Sequence, residues 1–233
     1  QVLTLFPYTT LFRSDQDRYA VLSYTRAVSA VRQGTFKDEI VPVAVPRRKG
    51  DPMIFDTDEC PRDTGYDTLS KMPAAFQKGG VTTAGNSSSI SDGASAVVVM
   101  AKEKAEELGC PVLATVGAQA SAGLDMKYVL VAPMLAVPKC LKKEGIGIDD
   151  VDIFEINEAF AGSTVAVMRE LELDPEKVNV NGGSIALGHP IGASGARVLT
   201  TMIYEMIRQN MKIGCASLCL GGGEAVALVV RRD

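Results

Sequence analysis

Three positions carry side chains able to do acyl-transfer chemistry, and each follows a stretch that reads as core: Asn157, His189 and Cys219. Asn157 closes the run DIFEIN with Glu158 behind it; in open α/β sheets, ligands gather beyond the carboxyl ends of strands, where loops meet helix N-termini. Taken alone, Asn157 is an ordinary helix cap. His189, the only histidine, sits within NGGSIALGHPIGASG, where five glycines let the backbone approach another group and Pro190 restricts His189 to extended geometry. A solitary histidine is ordinarily a satisfied structural or surface residue; the rigid glycine loop turns the reading towards function. Cys219 ends an apolar run and precedes Gly221, Gly222 and Gly223, whose N–H groups can form an anion-binding nest. Free cysteines are commonly buried and inert. What changes the weighing is co-occurrence, because an imidazole, a thiol beside backbone donors and a side-chain amide are the equipment of acyl transfer. The glycines match neither the dinucleotide fingerprint nor the Walker loop, so a phosphate cradle is disfavoured.

The elements that must hold these residues alternate. Ser14-x-x-Asp17 can act as a capping box, Tyr19, Leu22, Ala27, Ala30 and Val31 recur at helical spacing, and Gly34 suits the position after a helix end. Residues 39–45 read as a short strand, and residues 46–78, with no sustained period, as an excursion loop. Residues 94–100 suit a strand buried on both faces; helix 102–108 and strand 112–118 follow. Beyond them the pattern predicts helix 134–143, strand 151–156, helix 159–170, strand 178–180, helix 193–209 and strands 213–220 and 225–231. The last two strands flank the glycine turn and should pair antiparallel. The fold class is α/β, layered, with a mixed sheet.

Composition narrows the partners. The 233 residues carry 24 Lys+Arg against 28 Asp+Glu, a net charge of −4, which argues against nucleic acid because that affinity comes from Lys/Arg displacing counterions. No apolar run reaches the roughly 18–20 residues that cross a bilayer. Five scattered cysteines, Cys60, Cys110, Cys140, Cys215 and Cys219, point to reduced thiols and an intracellular compartment, and their spacing does not suit a metal site. Residues 1–14 (QVLTLFPYTTLFRS) lack the features of a signal peptide and resemble translated adapter sequence, so a non-native segment is expected there.

NEAF at residues 157–160, GHP at 188–190 and C-x-G-G-G at 219–223 together resemble the thiolase family in order and spacing. The similarity extends through QDRYA at 16–20, AGNSSSISDGA at 84–94 and the EELG segment ending at Gly109, and is greatest to acetyl-CoA acetyltransferases and 3-ketoacyl-CoA thiolases. It implies a layered fold of helices on mixed five-stranded sheets, with loop domain and last elements of the first half over 15–110 and the second thiolase domain over 111–233. It also implies that acetyl units are exchanged between CoA thioesters by Claisen chemistry. His189 would activate a nucleophilic thiol and help to stabilise the oxyanion, and Cys219 would move the α-proton. Asn157 would serve one oxyanion hole and the Gly221 N–H a second, while Ser88 would touch the pantetheine arm.

The family's covalent nucleophile is a cysteine of the N-terminal half. None of the other four cysteines stands in its motif, so the resemblance implies a chain with that half largely missing, inactive by itself and prone to association through an exposed apolar face. No cofactor is implied beyond CoA thioesters as substrates, with acyl-CoA and CoA as partners and a homodimer or homotetramer when complete. A cytoplasmic location is expected, with an organellar address left open. Ser91 stands where an Asn is expected, and Glu224 where relatives carry a small or apolar residue; turned inward, Glu224 would perturb Cys219. The alternative from another class is a non-catalytic acyl-CoA or lipid-binding relative. Ketoacyl synthases would be expected to show two active-site histidines.

Overall fold

The computed structural model describes residues 12–232; most of the segment expected to be non-native lies outside them. Helix α1 (Arg13–Gln33) ends on Gly34 in the left-handed region, whose N–H reaches the Ala30 and Val31 carbonyls. The expected capping box does not form. Asp15 instead accepts from the Phe12 N–H, while Asp17 is buried and binds the Arg13 guanidinium and the Asn86 amide. Arg13 also donates to the Leu69 and Met72 carbonyls, so α1 is tied to the following loop from its first residue.

That loop contains more order than its composition suggests: a hairpin of β1 (Val43–Val45) and β2 (Met53–Phe55), then a short α2 (Tyr66–Leu69). Residues 94–100 are not a strand. They run without a ladder partner among the described residues, and Val98 and Val99 are 84% and 71% exposed, because a β-branched run becomes a buried strand only when a neighbour takes its N–H and C=O groups. Helix α3 (Lys102–Glu107) follows.

The main sheet holds β3 (Thr115–Gly123), β4 (Ile153–Ile156), β5 (Ile213–Leu220) and β6 (Glu224–Arg231) in the order β3-β6-β5-β4. It has four strands among the described residues, where the family resemblance implied five. β4 and β5 run parallel; β5, β6 and β3 are antiparallel. Strand alternation divides two cores. Phe154, Cys215, Ala227 and Val229 face α4 (Pro133–Glu144) and α5 (Ala161–Glu170); Ile153, Ala216 and Val230 face α7 (Ser194–Arg208). A third cluster joins α1 to α5 and to α6 (Ser184–Leu187) through Tyr19, Tyr24, Ala161 and Ile185.

The expected strand at 178–180 reduces to a single bridge, Phe154 to Val178. Asn179 adopts φ 48°, which breaks the extended chain, and its carboxamide completes the ladder instead, accepting from the Ile156 N–H and donating to the Ile156 carbonyl at 2.8 Å each. A side chain thus stands in for a neighbouring strand at the edge of β4.

The glycine turn is as expected, with Leu220 paired to Glu224. Gly223 has φ 96°, and a Cβ there would lie 2.3 Å from the Leu124 carbonyl oxygen. Gly223→Ala should destabilise the chain by about 2 kcal/mol or more, through left-handed strain plus that clash, read as a lower urea midpoint. An unchanged midpoint would show that the turn is free to rearrange.

Candidate active site

β4 delivers Asn157 beyond the sheet, and the Asn157 N–H extends the parallel ladder to the Ser217 carbonyl at 3.0 Å. It is not a helix cap: α5 starts at Ala161, with Phe160 at the capping position. The Asn157 side chain is buried between two partners, Ser184 Oγ at 2.6 Å from its Oδ1 and His189 Nε2 at 3.3 Å from its Nδ2.

His189 is half-buried and fixed on three sides. Its N–H donates to the Ser89 carbonyl at 2.9 Å, and Nδ1 lies 2.6 Å from Ser194 Oγ, which itself donates to the Pro190 carbonyl at 3.0 Å. With the Ser194 proton committed to Pro190, the hydroxyl accepts from Nδ1–H. The other ring nitrogen then carries a lone pair, matched by the Asn157 amide donor. Burial, and then the positive charge of Arg197, push the His189 pKa below its ordinary value. A neutral imidazole with Nε2 free to accept is the form a general base requires. Gly188 precedes it at φ 100°, and a Cβ there would meet Ser91 Oγ at 2.3 Å, so only glycine lets the loop lie against residues 89–91.

Residues 87–90 form the third side. Ser87 bridges to Phe160, Ile90 bridges to His189, and the Ser88 N–H donates to the Ala159 carbonyl at 3.1 Å. Ser88 is thereby placed beside both loops. Cys219 lies two residues beyond Ser217, which pairs with Ile156, so it shares the carboxyl edge of the β4–β5 pair with Asn157. No hydrogen bond joins Cys219 to Asn157 or His189 among the described residues. Burial raises its thiol pKa, and Glu224 points away into solvent, so the inward perturbation considered from sequence does not arise. Gly221 is exposed at the start of the turn. Among the described residues no cluster of His, Cys, Asp and Glu could hold a metal.

Two family models match this chain, the thiolase N-terminal domain over residues 8–103 and the thiolase C-terminal domain over residues 110–232. The chain belongs to the thiolase family. An acetyl-CoA acetyltransferase of Pseudomonas aeruginosa is 51% identical over 224 residues, 96% of this chain and 57% of the relative. A probable acetyl-CoA acyltransferase of Staphylococcus aureus is 48% identical over 221 residues, 94% of this chain and 56% of the relative. Among solved structures, the Bacillus anthracis acetyl-CoA acetyltransferase superposes with a TM-score of 0.92 at 42% identity, covering 99% of this chain and 58% of that one. Human mitochondrial 3-ketoacyl-CoA thiolase in complex with CoA gives 0.92 at 36% identity, covering 99% and 57%. The chain therefore spans a little over half the length of these thiolase relatives.

Several residues of this arrangement escape sequence reasoning. Ser184 and Ser194 lie inside the glycine-rich stretch, five residues either side of His189, where the glycines draw attention away from them. Glu158 is fully buried and receives Tyr19 Oη, Ser23 Oγ, Asn179 Nδ2 and the Ile185 N–H at 2.7–3.1 Å. Only its place beside Asn157 hinted at it. Buried Glu155 faces the part-buried Arg197, with Glu155 driven to about 8 mainly by burial, and Glu39 nearby to about 7 for the same reason.

These two raised carboxyl groups bind protons more tightly folded than unfolded. Their contribution to stability is complete below the unfolded carboxylate range near 4.5 and is lost as pH rises through 7 to 8. The urea midpoint should fall across that window in the native chain, and the fall should be shallower in Glu155→Gln, whose amide cannot ionise. An identical pH slope in the variant would refute the assignment.

Proposed function

We propose that this chain takes part in the transfer of acetyl units between CoA thioesters, by Claisen condensation and the reverse thiolysis of 3-ketoacyl-CoA. The observation that carries the reading is the Asn157–His189 contact, in which a side-chain amide donor and an unprotonated imidazole nitrogen meet at the carboxyl edge of a parallel strand pair. The α-carbon of a thioester is a very weak acid, so its proton leaves only where a base stands ready and the enolate oxygen meets fixed donors.

Cys219 supplies the base. Burial keeps its thiol protonated at rest, the form that returns a proton to a carbanion during cleavage, and makes the thiolate a stronger base during condensation. The Asn157 amide stabilises one oxyanion and the Gly221 N–H the other. His189, neutral, takes the proton of the attacking thiol at Nε2 when the thiol replaces the Asn157 amide there and, once protonated, adds charge stabilisation to the thioester oxygen. Ser88, on the segment beside both loops, contacts the pantetheine arm. CoA thioesters are the substrates, and no further cofactor is needed for these steps. The covalent acyl carrier would be a cysteine of the N-terminal half, since Cys60, Cys110, Cys140 and Cys215 do not stand in its motif. A homodimer or homotetramer and a cytoplasmic setting complete the proposal.

Exchange of the acetyl-CoA methyl protons with deuterium oxide isolates the step assigned to Cys219. In the enzyme completed with its N-terminal half, Cys219→Ser should slow exchange by about 100-fold or more while CoA binding persists. Binding with equal exchange in both proteins would instead favour a non-catalytic acyl-CoA-binding role.

A further inference from the structure

Behind the site lies charge that the proposed chemistry does not use. Glu155 is two residues before Asn157, hence on the same face of β4, and is 1% exposed. The ionisable groups about it are Arg197 and Glu205 from α7, Glu158 beyond β4 and Glu39 beyond α1. Asp58 and Arg208 complete the surroundings of this cluster. Arg197 reaches inward between them, with Nη1 3.8 Å from Glu155 Oε2 and Nη2 3.4 Å from Ser184 Oγ. Glu155 Oε1, Glu39 Oε2 and Arg197 Nη1 have no hydrogen-bond partner among the described residues. A buried ion held so sparsely contributes little to stability, because removing it from water offsets the attraction it gains.

What the arginine does have is a position at the head of a chain of donors running one way. Its Nη2 donates to Ser184, Ser184 to Asn157 Oδ1, Asn157 Nδ2 to His189 Nε2, His189 Nδ1 to Ser194 and Ser194 to the Pro190 carbonyl. An asparagine amide has two ends of similar shape and opposite polarity, so something must fix which end faces the imidazole. We infer that Arg197 is a positioning residue: it anchors Ser184 so that Asn157 turns its amide nitrogen to His189 and leaves Nε2 of that ring unprotonated. The inference rests on the reading of Asn157 and His189 as parts of the acyl-transfer site. Arg197 touches no reacting atom and acts through Ser184.

His189 is the only histidine, so long-range 1H–15N spectra of the 233-residue chain report the tautomer and titration of a single imidazole. The native chain should show the Nδ1–H tautomer. In Arg197→Gln the Nε2–H form should gain by about three- to tenfold, the weight of one hydrogen bond, and the titration midpoint should rise because a nearby cation is gone. Ser184→Ala keeps the cation, so it should shift the tautomer comparably and the midpoint less. Arg197→Lys should restore the midpoint and only part of the tautomer bias, since a point charge replaces the planar fork. Amide dispersion checks that each variant folds. An unchanged tautomer in folded Arg197→Gln and Ser184→Ala overturns the inference; if Arg197→Gln does not fold, Ser184→Ala decides alone. Absent methyl exchange in the enzyme completed with its N-terminal half, alongside the expected tautomer shift, would count against the acyl-transfer reading and leave the positioning role standing.

Discussion

A carboxylate withdrawn from water must be met by donors, and the donors that meet Glu158 come from three separate segments of the chain. Tyr19 and Ser23 arrive from α1, Asn179 from the turn after α5, and the Ile185 N–H from α6, all converging on one residue that follows β4. Each of these bonds to a charged acceptor is stronger than a neutral one, and none can be released without leaving a buried charge short of partners. Because Asn157 is the preceding residue and Ser184 opens α6, satisfying Glu158 sets the distance between the strand edge that carries the amide and the loop that carries the imidazole. Burial and the neighbouring carboxylate raise the Tyr19 pKa, which keeps its hydroxyl a donor.

From that constraint the electrostatics of the site follow in two layers. The outer layer holds neutral groups, with His189 kept uncharged and the Cys219 thiol kept protonated, both chiefly by burial. The inner layer holds Glu39, Glu155 and Arg197, where desolvation pushes the carboxyl groups towards the neutral form and leaves the guanidinium as the lasting charge. A fixed cation close to the imidazole disfavours a second positive charge there, so the base is kept ready to accept a proton.

The sequence exposes what is local and periodic. The β5–β6 hairpin, the end of α1 at Gly34, and helices α4 and α7 are legible because their signals lie within a few residues. Asn157, His189 and Cys219 are legible by chemical type, Gly221 as part of a glycine run able to bind an anion, and Ser88 only through family resemblance. What escapes is set by distant partners. Residues 94–100 have the composition of a buried strand but no neighbour to pair with among the described residues, and Asn179 imitates a strand with its side chain instead of forming one. Ser184, Ser194 and Arg197 have no motif of their own, because their importance comes from the direction in which hydrogen bonds run.

Native-state hydrogen exchange at the Gly183 and Ile185 amides, in the native chain and in Glu158→Gln, tests most directly whether this one carboxylate holds the site together. The amide replacement matches in size but turns an NH2 towards either Asn179 Nδ2 or the Ile185 N–H, neither of which can accept. If Glu158 fixes the loop, both amides lose protection in the variant by about 100-fold or more while amides of β5 and β6 lose much less, because opening is local to α1, α6 and the histidine loop. Equal protection at Gly183 and Ile185 in the two proteins would mean that apolar packing of α1 and α6 positions the site without the carboxylate.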